Sequence, residues 1–434
     1  MASARFDQVV LRGDLAQPAC WRIRPEVLYP SVDLAAPQRI SFVGGSLNSQ
    51  LEVQVEWAQW SHWADFIAGL AGDPGADQPG GPLAPWLDEL RRKGFLVNET
   101  ATTTPGDGAC VDLSFIGHNT VVAWSGATRI VIDPFFVAEL SQAAYRPVTR
   151  RQIGSVDAVL ITHSHADHFD PASLLQFGRG TPIVVPRVGR ESLLAIHMAQ
   201  RCAEFGFERV ITLDWNETQR IGDFEIRALP FFGEQPTSGN VLHPEVRNHG
   251  NTYHLRCPNY SVAFVADAGW DHAGDMLDVA KSCRGENGPV DVLFAGFRGW
   301  LTYPVQLVFS SVAQYLLFVP PQEWGQRQQL MNDPVGAVDL AEAWDAQVLV
   351  PYGAGGAPWY WQRGLGPRNE PDAIEDPNFD PLPARVEEAA SRRLWVRDQW
   401  FASPVTVQLL QPGDGLSRRR SGLFKPVRCG HGHA

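Results

Sequence analysis

Three histidines and one aspartate lie within six residues of the sequence, at His163, His165, Asp167 and His168. They follow the continuous apolar segment Ala158–Thr162, which is predicted to be a buried strand. Alternate residues of an extended chain point to the same side, so His163 and His165 can bind one metal ion, and the turn that follows can bring Asp167 and His168 to a second. Four such ligands would be costly in a packed core without a metal or hydrogen bonds. The pattern therefore predicts a two-metal centre.

This HxHxDH pattern resembles the metallo-β-lactamase superfamily, and the likeness covers about residues 111–415. Earlier in the chain, FIGHN around His118 and IVIDP around Asp133 resemble the first strands of that fold. The resemblance implies that both side chains lie near the site, where they support the ligands.

Two later segments also resemble the superfamily. VADAG, at residues 265–269, resembles the strand that ends in a bridging aspartate, which makes Asp267 a ligand shared between the two metals. Leu409–Asp414 resembles the closing strand of many members.

The sequence departs from the usual pattern of hydrolytic members at the third ligand of the first metal. Those members supply a histidine there, whereas this chain has Glu234 after the strand that contains Phe224–Leu229. His163, His165 and Glu234 would form a two-histidine, one-carboxylate set, which favours iron and oxygen chemistry over zinc.

A second departure concerns the last ligand of the second metal. The superfamily supplies a histidine soon after the strand that leads to Val350, but no histidine occurs between His272 and His431. Tyr352 could approach the metal and act in catalysis, the metal could have fewer protein ligands, or a histidine could come from elsewhere. The candidates for the last case are His272, His249 and His254.

Glutamate in place of histidine, together with a small α+β N-terminal region, resembles one branch in particular. This branch contains the diiron oxygenases of natural-product biosynthesis, typified by the chloramphenicol-pathway β-hydroxylase, which acts on a carrier-bound amino acid. The resemblance implies two iron ions, with zinc or manganese as alternatives, and O₂ as co-substrate. It also implies a small-molecule substrate, free or tethered to a carrier protein or CoA, and an electron donor such as a reductase or ferredoxin.

Three functions are compatible with these residues. The first is a diiron monooxygenase that hydroxylates or oxidises a small molecule, with Asp167 and Glu234 at the reacting centre. The second is a dinuclear hydrolase of an ester, lactone, thioester or phosphodiester, in which Asp167 would orient a metal-bound water. The third is a non-catalytic binding protein with a degenerate site.

Composition and charge exclude several other classes. The net charge of −12 disfavours nucleic acid and anionic membranes as partners. The six cysteines form no CxxC pair and the N-terminus has no apolar stretch of a secretory signal, so a reduced, cytoplasmic protein is expected. No apolar run is long enough for a transmembrane helix.

The order of predicted elements indicates an α/β protein with two sheets between helices, the αββα metallo-β-lactamase sandwich. A small α+β, winged-helix-like domain is expected over residues 1–108, the sandwich over 109–415 and a C-terminal tail over 416–434. Within the sandwich, a helix is predicted over Arg190–Phe205.

Overall fold

The computed structural model describes residues 2–4, 8–12, 38–44, 49–55, 59–70, 83–93, 96–98, 111–136, 148, 150–165, 167–189, 191, 196–233, 237–238, 241–242, 249–271, 273–299, 301–302, 328–329, 331–353, 381–396 and 405–428. None of the helices in these ranges is both long and apolar enough to cross a membrane.

The strands are numbered in chain order: β1 (Ala2–Ala4), β2 (Gln8–Arg12), β3 (Gln38–Gly44), β4 (Ser49–Val55), β5 (Leu96–Asn98), β6 (Leu113–Gly117), β7 (Thr120–Ser125), β8 (Thr128–Ile132), β9 (Ala158–Leu160), β10 (Ile183–Pro186), β11 (Val210–Leu213), β12 (Thr218–Ile221), β13 (Phe224–Pro230), β14 (Thr237–Ser238), β15 (Val241–Leu242), β16 (Asn251–Arg256), β17 (Ser261–Phe264), β18 (Trp270–Asp271), β19 (Gly274–Asp275), β20 (Val292–Ala295), β21 (Leu301–Thr302), β22 (Gln328–Gln329), β23 (Val348–Pro351), β24 (Thr406–Val407), β25 (Asp414–Arg418) and β26 (Phe424–Arg428). The described helices span Trp60–Leu70, Ala84–Arg92, Arg150–Ile153, Pro171–Leu174, Met198–Glu204, Met276–Asn287, Pro334–Trp344 and Ala384–Val396.

Two large mixed sheets organise the chain from β6 onwards. The first has eight strands in the order β11-β10-β9-β8-β7-β6-β25-β26, and the second has seven in the order β12-β13-β16-β17-β20-β23-β24. Parallel pairs, such as β8 with β9 and β20 with β23, lie beside antiparallel hairpins in both sheets.

The two sheets pack face to face around one apolar core. Leu113, Val121 and Ile130 of the first sheet share a buried cluster with Ile226 and Val262 of the second. Burying both inner faces removes apolar surface from water, which is the main force that holds such a sandwich together.

Helices cover the outer faces of the sandwich. The opposite side chains of the first sheet, such as Val131 and Val159, pack with Met198 of the helix Met198–Glu204. On the second sheet, Cys283 and Trp344 belong to the helices Met276–Asn287 and Pro334–Trp344 and join the core from outside. The predicted αββα architecture is confirmed.

The described N-terminal residues form a small α+β unit, as predicted. The antiparallel sheet β2-β3-β4 and the pair β1-β5 accompany the helices Trp60–Leu70 and Ala84–Arg92. The unit contacts the sandwich, because Trp60 Nε1 donates to Phe205 O at 2.8 Å and Arg179 pairs with Asp65 at 2.9 Å. The domain boundary after residue 108 falls outside the described residues and stays a prediction.

Two predicted elements differ from the structure. The helix expected over Arg190–Phe205 begins at Met198, because His197 caps it by accepting from Gln200 N; residues 190 and 192–195 lie outside the described residues. The expected tail from residue 416 is wrong, because β25 pairs with β6, buries Leu416 and is followed by β26 up to Arg428. The closing strand therefore starts, rather than ends, at Asp414.

Candidate metal centre

The predicted ligands lie where strands of the two sheets end side by side. His163, His165, Asp167 and His168 follow β9, whereas Asp267 follows β17 of the other sheet. Strand ends suit a metal centre, because the sheets fix the backbone while the loops direct the side chains.

Asp133, at the end of β8, orients His168. Its Oδ2 atom lies 2.8 Å from His168 Nδ1 and accepts the Thr162 hydroxyl at 2.6 Å, while its Oδ1 atom accepts Thr162 N at 2.7 Å. A carboxylate only accepts hydrogen bonds, so the Nδ1 proton of His168 faces Asp133 and the Nε2 atom is directed into the site. The prediction that Asp133 lies near the centre is confirmed.

The structure brings possible ligand atoms together in two groups of three that share His168. One group is His163, His168 and Asp267, and the other is His118, Asp167 and His168; within each, the ligand atoms lie within 4.8 Å of one another. His168 Nε2 is 3.3 Å from Asp267 Oδ2, and all members are buried except half-buried Asp167. Among the described residues, these groups are the places where three such atoms converge.

His165 belongs to neither group. Its ring lies edge-on to that of His163, with the ring centroids 4.6 Å apart, and the side chain is half-buried. The HxHxDH segment therefore forms one continuous cluster, with His163 and His168 in its interior.

The carboxylates around His168 give the site a negative charge that suits a bound cation. Burial alone would lower the pKa of His168, but Asp267, Asp133 and Asp167 outweigh it and hold that pKa well above its usual range. Burial would raise the pKa of Asp167, yet His168, His118 and Arg298 hold it well below its usual range.

One carboxylate oxygen gives independent support for a metal ion. Asp267 Oδ1 is buried and accepts no hydrogen bond from the part of the chain that the structure describes. A buried carboxylate without such donors is expensive unless a cation balances it. These residues therefore fit the metal ions that the sequence predicts, and metal would supply the missing positive charge.

Tyr352 lies beside the turn that presents Asp267, but it is in neither ligand group. Its buried hydroxyl accepts a hydrogen bond from Ala266 N at 2.9 Å, and Ala266 has a φ of 49°. Burial raises the pKa of Tyr352 well above its usual range, so the phenol stays neutral. In this structure Tyr352 holds the backbone next to Asp267.

Glu234 and His272 lie outside the described residues, but the three residues before Glu234 are described. The Phe231 ring lies 4.9 Å from the His163 ring, between centroids, and Gly233 N donates to Asp271 Oδ2 at 2.9 Å. Half-buried His249 is described, but it joins neither ligand group.

His254 lies on the other side of its sheet from the metal centre. Its neighbour Tyr253 points inward and donates to Ile161 O, whereas the His254 ring contacts Trp344 and lies 3.6 Å from Cys283 Sγ through Nδ1. Adjacent strand residues face opposite sides, so His254 cannot reach the ligands.

The environment of His254 predicts a pH dependence of stability. Burial lowers its pKa from 6.5 to about 4, so below pH 6.5 the unfolded chain gains a proton that the folded chain does not accept. Its contribution to stability is complete above pH 6.5 and is lost as the pH falls towards 4. Between pH 7 and pH 5 the free energy of unfolding should fall by about 2 kcal/mol more in the wild type than in His254→Leu. Urea unfolding at both pH values measures the free energy of unfolding of each protein. An equal fall in the two proteins would show that His254 titrates normally.

His118 contacts the centre more closely than the sequence indicated. Its Nε2 atom lies 2.7 Å from Asp167 Oδ2, at the turn between β6 and β7. The signal in the sequence was the resemblance of FIGHN to the first strands of the fold, which predicted His118 near the site. The sequence does not show that the turn between β6 and β7 brings His118 into contact with Asp167.

The known proteins with similar sequence include a hydroxylase and a metal-dependent hydrolase. The profile of the Beta-lactamase superfamily domain matches residues 128–352. A Streptomyces venezuelae hydroxylase, which acts at position 3 of 4-amino-L-phenylalanine on a peptidyl carrier protein, is 30% identical over 194 residues, covering 43% of this chain and 34% of the relative. A UPF0173 metal-dependent hydrolase of Thermus thermophilus is 39% identical over 61 residues, covering 14% of this chain and 24% of the relative. These matches therefore span about a third or less of each curated relative.

A solved structure shares the fold over most of the chain. It is the crystal structure of CmlA, a diiron β-hydroxylase from Streptomyces venezuelae, with a TM-score of 0.61 and 18% sequence identity. The superposition covers 94% of this chain and 72% of that one.

Proposed function

Because the chain belongs to the beta-lactamase superfamily and has the metallo-β-lactamase fold of its metal-dependent enzymes, we propose that it is a non-heme diiron oxygenase. It would hydroxylate or oxidise a small-molecule substrate with O₂. His163, His165 and Glu234 would hold one iron, Asp167 and His168 the other, and Asp267 would lie between them.

The observation that carries this proposal is the carboxylate-rich set of ligands. Asp267 is buried against His168, and Asp167 is kept ionised by its neighbours. Glu234 follows the described segment in which Phe231 contacts His163, so a third carboxylate is available three residues further on. Imidazole combined with carboxylate, with positions left open, is the set that non-heme iron oxygenases use.

The relatives support the same reaction class. The Streptomyces hydroxylase is similar in sequence, and a diiron β-hydroxylase shares the fold. By analogy with the first, we propose that the substrate is tethered to a carrier protein or to CoA. One oxygen atom of O₂ would enter a C–H bond and the other would leave as water, with two electrons and two protons supplied through a reductase or ferredoxin.

Glu234 provides the most specific test of the ligand set. In Glu234→Ala, metal content after dialysis should fall from about two ions per chain to about one, because the first site would lose the carboxylate that it does not share with the second. The matched control is Glu217→Ala, which removes a glutamate from the surface and should keep both ions. Elemental analysis by mass spectrometry measures the content, and full loading of the Glu234→Ala protein would contradict the assignment.

A dinuclear hydrolase is the second candidate, favoured by the hydrolase from Thermus thermophilus. Metal would then lower the pKa of a bound water, and ionised Asp167 could orient it. Under this alternative the purified protein would hold zinc and cleave esters or phosphodiesters without consuming O₂.

A further inference from the structure

A histidine that the fold normally supplies is absent after β23. β23 ends at Pro351 and is followed by Tyr352 and Gly353, and no histidine occurs from there to residue 430. The second metal of the proposed centre would therefore be held by Asp167, His168 and the shared Asp267, without a late histidine.

The place of the missing histidine lies against the turn that carries His118. Gly353 N donates to His118 O at 3.0 Å. Gly353 has a φ of 73°, and a Cβ atom built there would lie 2.7 Å from the side-chain oxygen of Asn119. A side chain at position 353 would thus be strained and would collide with the residue next to His118.

We propose that His118 takes the place of this histidine and binds the second metal together with Asp167 and His168. The proposal rests on the two-metal centre of the proposed function and adds a ligand from a different part of the chain. His118 comes from the turn between β6 and β7 of the first sheet, whereas a late ligand would follow β23 of the second.

The distances between ligand atoms are compatible with one ion. His118 Nε2 lies 2.7 Å from Asp167 Oδ2, and Asp167 Oδ2 lies 4.0 Å from His168 Nε2. Metal–ligand bonds of about 2.0–2.2 Å place two atoms on the same ion no more than about 4.4 Å apart. The three atoms thus need only small shifts to surround a metal.

The Asn119 amide shows that the two rings face a common point. Its nitrogen lies 2.9 Å from His168 Nε2 and 3.2 Å from His118 Nε2, and the side chain is fully buried. Both Nε2 atoms are therefore within hydrogen-bond distance of one atom, so the two rings face a common point.

The backbone supports a specialised role for His118. It has a φ of 51°, a left-handed conformation that is unfavourable for a residue with a Cβ atom, and the side chain is 1% exposed. Asp133 and Ala266 of the same centre also have positive φ values. Strain of about 1–3 kcal/mol per residue persists where surrounding structure requires it, often at functional sites.

The first experiment compares metal content in matched histidine variants. Wild type, His118→Ala and His197→Ala are loaded with iron(II) under anaerobic conditions, dialysed and analysed for metal by mass spectrometry. His197 is a half-buried helix cap outside both ligand groups. His118→Ala should retain about one ion per chain where wild type and His197→Ala retain about two. Two ions in His118→Ala would overturn the proposal.

Loss of metal could also follow if His118 merely positions Asp167, so a second measurement separates the two roles. Anomalous diffraction from crystals of the wild-type protein loaded with iron(II), and separately with Zn²⁺, locates each ion. A distance of about 2.0–2.2 Å from His118 Nε2 to the second ion is expected. If Nε2 stays hydrogen-bonded to Asp167 and beyond bonding distance of the ion, His118 is only a positioning residue and the proposal is wrong.

Metal identity and the bond to His118 distinguish failure of the proposed function from failure of this inference. If the protein holds only zinc and does not use O₂, the oxygenase is wrong, yet a Zn²⁺–His118 bond would still confirm the ligand. If iron and O₂ chemistry are present but His118 is not bonded, the function stands and this assignment does not.

Discussion

Replacing Asp267 by asparagine is expected to weaken metal binding more than the loss of a residue that only hydrogen-bonds to a ligand would. Asp267 is 2% exposed, approaches His168 Nε2 to 3.3 Å and would give its charge to both ions of the proposed centre. Loss of an outer-shell partner typically costs about 10–100-fold in metal affinity, so the loss of a charged ligand should exceed about 100-fold. Competition with a chelator of known affinity measures the change.

An intact fold must accompany this result. The variant Asp275→Asn is a suitable comparison, because Asp275 caps the helix Met276–Asn287 and belongs to neither ligand group. That variant should bind metal like the wild type. Unchanged metal affinity in Asp267→Asn, with cooperative unfolding, would remove Asp267 from the ligand set.

Replacing Asp133 by alanine is expected to destabilise the protein by about 3–5 kcal/mol, as the loss of one partner of a buried charged network does. The change leaves Thr162 N, the Thr162 hydroxyl and His168 Nδ1 without their acceptor. Each buried donor without a partner costs about 1–3 kcal/mol. The ring of His168 would also lose its orientation, so metal affinity should fall by about 10–100-fold.

Two measurements check the role of Asp133. Urea unfolding in the presence of a chelator gives the loss of stability without metal, and titration of the folded variant with iron(II) gives the loss of affinity. Asp214→Ala is the control, because its ion pair with Arg187 is half-exposed and should contribute less than about 1 kcal/mol. A loss of stability in Asp133→Ala as small as that in Asp214→Ala would show that the hydrogen bonds accepted by Asp133 contribute little.

The sequence predicted the sandwich because its strands are continuous apolar segments ended by turns. β9 begins at Ala158, where the predicted strand begins, and it leads directly into the HxHxDH segment. The tail after residue 416 was misjudged, because β25 and β26 are short and largely polar, and only pairing with β6 makes them part of a sheet.

The contacts of the site were harder to predict than the ligand types. The resemblance predicted both His118 and Asp133 near the site, but not their partners: Asp133 contacts His168, and His118 contacts Asp167. Likewise, the sequence left His254 open as a ligand, and only the register of β16 shows that it faces the helices. Such contacts connect distant parts of the chain and depend on strand pairing, which local patterns do not specify.

The most direct test of the central claim is the metal content of protein expressed in medium that supplies iron, zinc and manganese together, with an optical spectrum of the same sample. We expect about two irons per chain, a coloured protein and O₂ uptake after anaerobic reduction, since the carboxylate-rich site favours iron. Two zinc ions per chain and a colourless protein, persisting after growth with excess iron, would contradict the oxygenase and favour the hydrolase.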